Sequence, residues 1–130
     1  MAIFRKIDCT MLKTADLDAA VAFYAGKLGH ALLWRTETAA GFAMPETDAE
    51  LVVHCELEPQ TDLLVDSADD AYRTLLEAGA RSIVAPFDIA IGRCAVVRDP
   101  FGNVLTFLDQ TKGLLKTDAE KNVIGMEERT

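Results

Sequence analysis

Two helix-forming stretches begin and end about 50 residues apart, and that interval constrains the possible folds more than any other feature of the chain. The first, DLDAAVAFYAGKLG, opens at Asp16. Leu17, Val21, Tyr24 and Leu28 fall at i, i+4, i+7 and i+11, and Ala20 and Phe23 widen the stripe. Gly29 follows the last apolar position, where a left-handed C-terminal cap belongs. The second opens at Asp66, with Ser67 and Asp70 forming a capping-box variant. Its helix, ADDAYRTLLEAGA, is expected to bury Ala71, Leu75 and Ala78 with Tyr72 and Leu76 beside them, and Gly79 ends it. A strand-like run precedes each helix, Phe4–Leu12 and Thr61–Asp66. Three runs follow each: His30–Thr38, Gly41–Met44 and Glu50–Leu57, then Arg81–Ala85, Cys94–Arg98 and Val104–Asp109. The pattern predicts an α+β protein of two tandem βαβββ modules, 1–58 and 59–110. Their strands are expected to form a curved mixed sheet around a cleft, with the helices outside.

The stretch Gly92–Asp109 reads as a hairpin. Asp99-Pro100-Phe101-Gly102-Asn103 supplies a turn-opening Asp, a Pro with preset φ, and a Gly able to take the left-handed conformation. Its flanks are apolar almost throughout, as in strands covered on both faces. Pro86–Ile91 reads as an apolar loop ahead of this hairpin, packed against a cavity lip or a neighbouring subunit. Beyond Gln110, residues 111–130 turn polar around the islets Leu114-Leu115 and Val123-Ile124, as a frayed tail or an arm.

The net charge of −8 lacks the basic face that nucleic acid or an anionic membrane requires. No apolar run is long enough to cross a bilayer, and Arg5, Lys6, Asp8 and Lys13 interrupt any signal-peptide core. Cys9, Cys55 and Cys94 are odd in number, widely spaced and strand-borne, which points to free thiols in a reducing cytoplasm.

The repeated module, the D-L-x-x-A-x-x-F-Y and L-G signature within TMLKTADLDAAVAFYAGKLG, and DPFGN before the last strand together resemble the vicinal oxygen chelate superfamily. That group includes glyoxalases, bleomycin-resistance proteins and extradiol dioxygenases. The likeness covers nearly everything up to Gln110, and one scaffold of this kind hosts many chemistries. It implies a glyoxalase-like domain, a homodimer, and a small-molecule ligand held where the modules meet. In metal-dependent members, four inward-facing His, Glu or Gln side chains bind a divalent ion. The resemblance carries those positions to Cys9, to Val53 (or His54 with a one-residue slip), to Gln60, and to Thr106. Divalent ions of this kind want carboxylate or imidazole donors, so no metal centre is expected.

The ligand cleft is expected to draw on Cys9, Trp34, Phe42, His54, Arg93 and Thr106. His54 reads either as a cavity base or as a core histidine satisfied by the backbone. Cys9 reads as a reactive thiol or, without a basic neighbour in sequence, as an inert buried one. Trp34 and Phe42 are core or cleft aromatics. Arg93 can pair with a ligand carboxylate or with one of the many surface acids. Thr106 tunes polarity. Two functions follow: a binder of an apolar or aromatic molecule in the inter-module cleft without a standard metal centre, or a glyoxalase-like lyase, isomerase or dioxygenase that works through Cys9 and His54 with an atypical metal or none.

Overall fold

The computed structural model describes residues 2–128, and the chain divides into two compact units. The first comprises Asp8–Thr61 with Leu115–Gly125. The second comprises, of the described residues, 2–7, Asp62–Leu114 and 126–128. Ten strands are described: β1 (Lys6–Lys13), β2 (Leu32–Arg35), β3 (Ala39–Met44), β4 (Thr47–His54), β5 (Gln60–Leu64), β6 (Arg81–Ile89), β7 (Gly92–Arg98), β8 (Val104–Leu108), β9 (Gly113–Thr117) and β10 (Val123–Glu128). Two helices accompany them, α1 (Leu17–Val21), which runs on as a π-helical stretch Ala22–Lys27, and α2 (Ala68–Glu77).

Each unit repeats one topology. In the first the order is β2-β3-β4-β1, with β1 parallel to β4 and the other neighbours antiparallel. In the second it is β5-β8-β7-β6, with β5 parallel to β8 and the others antiparallel. A parallel first pair needs a crossover, and the helix of each module supplies it. One sheet face of each unit is therefore covered by its own helix. Leu17, Ala20, Ala40, Phe42 and Val53 form that core in the first unit. Val65, Ala68, Ala71, Ala95, Val97 and Phe107 are part of it in the second.

Both helices start as the caps predict. Asp16 accepts the Ala19 N–H at 3.1 Å, and Ser67 accepts the Asp70 N–H at 3.2 Å. Gly29 and Gly79 both have positive φ. The predicted stripe of the first helix departs from the structure at its end. The Leu28 N–H reaches back five residues to the Phe23 carbonyl at 3.0 Å, so the last turn is widened. That extra residue per turn rotates Phe23 and Leu28 outward to 45% and 51% exposure, while Val21, Tyr24 and Ala25 keep to the core. In α2, Ala78 is exposed, and Ala68 is buried instead.

The loop predicted at Pro86–Ile91 is instead mostly strand, since β6 runs on to Ile89. Two register shifts let it pass Pro86, whose missing N–H is tolerated because β6 ends the strand order of its unit. The tail is an arm rather than a frayed end: β9 and β10 pair as a two-stranded sheet. Its turn, Asp118-Ala119-Glu120-Lys121-Asn122, repeats the construction of the DPFGN turn. Asp99 accepts N–H bonds from Phe101 and Asn103 and from Asn103 Nδ2, all at 2.8 Å. Asp118 accepts the Glu120 N–H at 2.9 Å, the Asn122 N–H at 3.0 Å and Asn122 Nδ2 at 3.4 Å. In both turns the fourth residue is left-handed, Gly102 at φ 94 and Lys121 at φ 70. A D-x-x-x-N pattern was thus present twice in the sequence, but only the copy containing Pro and Gly was conspicuous.

Asp109 ties the second unit together. It is 2% exposed, and its carboxylate accepts the Ala68 N–H at 2.7 Å, the Arg93 N–H at 2.9 Å and the Thr111 hydroxyl at 2.8 Å. A side chain at Gly92 would collide with it. Burial pushes its pKa up. The bonds from Ala68, Thr111 and Arg93 outweigh burial and hold it below the ordinary carboxylate value.

Two predictions follow from this packing. Asp109→Asn should lower unfolding free energy by about 2 kcal/mol, because a charged acceptor for buried donors is lost. A depressed folded pKa contributes stability above the unfolded value and loses it as pH falls through the folded one, so the variant should flatten the acid limb of stability against pH. Urea titrations from pH 7 downward check both. Lys121→Gly should raise stability by about 0.5–1 kcal/mol, since a left-handed backbone suits glycine better than lysine.

Candidate functional site

In each unit the candidate residues divide between the sheet face under the helix and the face turned away from it. The faces follow from register. Counted from the helix cap, Met11 and Asp62 hold equivalent places in β1 and β5, and they pair with Val52 and Thr106 respectively. The counterpart of Thr106 on β4 is therefore Val52. Val53, the position reached without a gap, is 1% exposed and packs in the helix-side core with Leu17 and Ala20. A one-residue difference reverses the face.

In the first unit this face carries Cys9, Met11 and Val52, with Trp34 packed against them. Trp34 reaches it through a bulge. Leu32 pairs with Phe42 and faces the helix, yet Trp34, two residues on, pairs with Gly41 because the register slips between them. In a regular strand both would point the same way, and the inserted residue re-aims the indole. The indole lies over Gly41, where any Cβ would collide with its Nε1 and Cε2 and with Glu50 Oε1. Trp34 Nε1 donates to Glu50 Oε1 at 2.6 Å. Glu50 is in register with Cys9 across the β1–β4 pair. Gly41 and Glu50 were missed in the sequence, because their partnership with Trp34 depends on an unforeseen bulge.

The other expected residues separate. Phe42 is fully buried in the helix-side core, 5.6 Å from the Tyr24 ring, and is corrected from a cleft aromatic to a core one. Arg93 is likewise corrected. It shares strand parity with Ala95 and Val97, which face α2. Its Nε lies 3.0 Å from Asp69 Oδ2, and Nη1 lies 3.1 Å from Asp88 Oδ1. Nη2 donates to the Pro86 carbonyl at 3.1 Å. His54 has the parity of Val52, but its Nδ1 accepts the Glu56 and Leu57 N–H groups at 2.9 and 3.1 Å. Nδ1 thus serves as an acceptor, and the ring closes the turn after β4. Gln60 opens β5, half-buried.

In the second unit Thr106 is 7% exposed and in register with Asp62, equally buried, on β5 and with Val96 on β7. Cys94 shares this face. Burial, then the charges of Asp62 and Asp109, push its thiol up to about 11, which keeps it protonated and unreactive near neutrality. A cavity of about 280 Å³ lies at the start of α2, lined in part by Asp66 and Ser67. Ser67 caps the helix, and Asp66 pairs with Arg5 at 2.7 Å.

Residues 6–107 match the Glyoxalase/Bleomycin resistance protein/Dioxygenase superfamily. The chain belongs to that superfamily. Among curated proteins no sequence match was found. The solved structures it resembles include methylmalonyl-CoA epimerase from Mycobacterium tuberculosis, at 20% identity and TM-score 0.69, covering 84% of this chain and 90% of that one. They also include the Mn(II)-bound glyoxalase from Novosphingobium aromaticivorans, at 20% identity and TM-score 0.61, covering 100% of this chain and 43% of that one. A third is homoprotocatechuate 2,3-dioxygenase from Brevibacterium fuscum, at 21% identity and TM-score 0.61, covering 83% and 37%. These likenesses establish the fold of a superfamily member, not its chemistry.

The glyoxalase structure is Mn(II)-bound, and the residues here do not fit such an ion. The positions that would ligate it hold a thiol at Cys9, no donor at Val53 (or, with the slip, the His54 imidazole whose Nδ1 is taken by the turn after β4), an amide at Gln60 and a hydroxyl at Thr106. Among the described residues no group of three or more His, Cys, Asp or Glu side chains is placed to hold a metal. Replacing Gly41 with Ala should displace the indole and break its bond to Glu50. Trp34 is the sole tryptophan, so a red shift and greater acrylamide quenching of protein fluorescence measure this directly.

Proposed function

We propose that this protein binds a small apolar or aromatic molecule against the Trp34 face of its first unit, without a divalent metal. The observation that carries the reading is the construction around that indole. A bulge aims it, a glycine accommodates it, and Glu50 fixes its rotation through Nε1. An indole so oriented presents a ready-made stacking surface, and the flanking Cys9, Met11 and Val52 are apolar. Catalysis through Cys9 and His54 has less support. The acceptor nitrogen of His54 is occupied by two backbone donors, so the ring offers no basic nitrogen to a substrate. In this reading the protein works in the cytoplasm as a homodimer. Its three free cysteines and the family resemblance support that assignment.

Fluorescence titration with 4-nitrophenol tests the binding reading. Saturable quenching of Trp34 is expected, with affinity lost on Trp34→Ala by equilibrium dialysis. Quenching that rises only linearly, as for random collisions, would end it. Elemental analysis of the purified protein should find divalent metal well below one equivalent. A full equivalent of Mn, Fe, Ni or Zn that resists dialysis would turn the assignment to a metalloenzyme.

A further inference from the structure

The strand that carries Trp34 is poorly held by its own pairing. β2 has four residues, ends the strand order of its unit, and is interrupted by the bulge that aims the indole. Its outward N–H groups would ordinarily face water, and a short irregular edge strand of this kind frays. Arg35, the next residue, is instead fixed on two sides. Its N–H donates to the Lys121 carbonyl at 2.8 Å, and it bridges Asn122 in parallel sense. Its guanidinium Nη2 pairs with Asp18 Oδ1 at 2.8 Å, in the first turn of α1.

The element that grips Arg35 is the turn of the C-terminal hairpin, and that turn is built against a local cost. Lys121 holds a left-handed φ of 70, unfavourable for a lysine, so the Lys121 carbonyl keeps its direction only while the turn is enforced. Asp118 enforces it. Its carboxylate takes the Glu120 and Asn122 N–H groups, its N–H donates to the Asn122 carbonyl at 3.0 Å, and its carbonyl accepts the Lys121 N–H at 3.1 Å.

We propose that the Asp118–Asn122 turn is a clamp on β2, and that Asp118 is a positioning residue for Trp34. The chain of contacts runs from the Asp118 carboxylate through the Lys121 carbonyl to the Arg35 amide, and one residue further to the indole held by Glu50. The ligand-binding part of this inference rests on the proposed role of Trp34. The clamp itself does not.

The test compares Asp118→Ala with Asp99→Ala, which removes the same carboxylate from the same kind of turn in the second unit. Asp118→Ala should speed hydrogen exchange of the Arg35 amide at least about tenfold, red-shift Trp34 emission, and weaken saturable 4-nitrophenol quenching several-fold. Asp99→Ala should leave all three unchanged. Asp118→Asn, which keeps an acceptor oxygen, should restore much of the wild-type behaviour, and it carries the same readouts if the alanine variant does not fold. Unchanged Arg35 exchange and Trp34 emission in Asp118→Ala, or equal changes in Asp99→Ala, would overturn the clamp. If the wild-type protein shows no saturable quenching, the ligand reading fails, while the exchange and emission measurements still decide the clamp.

Discussion

The parallel pairing of the first strand of each module with its last, β1 with β4 and β5 with β8, is the constraint on which the rest depends. A parallel pair cannot be closed by a tight turn, so the chain must cross over, and the intervening helix settles against one face of its unit. That covering sets the role of every residue on these strands. Leu17, Phe42 and Val53 become core on the covered side. Cys9, Trp34 and Val52 fall on the other. The same logic in the second unit puts Val97 and Phe107 under α2 and Thr106 opposite.

Buried polar groups then hold the units at points where hydrophobic burial alone would leave choices open. Asp109 joins the first N–H group of α2, the start of β7 and the beginning of the arm through one carboxylate. Such a group is costly to bury, and it is tolerated because its donors are fixed backbone and side-chain partners. Glu50 does comparable work for Trp34. Repeated use of an Asp carboxylate to organise a five-residue turn, at Asp99 and again at Asp118, shows one device serving two ends. One closes a hairpin, and the other shapes the contact to β2.

Much of the fold was legible in the sequence because it rests on local rules. Helix caps at Asp16 and Ser67, the left-handed glycines that end both helices, and the DPFGN turn are each decided within a few residues. The places that escaped it share a cause. The widened last turn of the first helix, the passage of β6 through Pro86, and the slip between Leu32 and Trp34 each insert a residue into a regular period. A periodic reading assumes no such insertion, so Leu28 and Pro86–Ile91 were misplaced by it, and the partnership of Trp34 with Gly41 and Glu50 was missed. Phe42 and Arg93 were read as cleft residues from their strand positions, and a single step of parity assigns both to the helix side.

The amino-acid sequence by itself determined the duplicated βαβββ plan, the membership in its superfamily, and the thiol, amide and hydroxyl that stand at Cys9, Gln60 and Thr106. These depend on residue type and spacing, which need no partner across the fold. Tertiary structure alone decided which side of each strand meets the helix, that Trp34 is turned over Gly41 onto Glu50, and that His54 spends its acceptor on a turn. It also decided that residues 118–122 reach Arg35. These outcomes hinge on register between segments distant in the chain, where a shift of one residue reverses a face and no local preference records it.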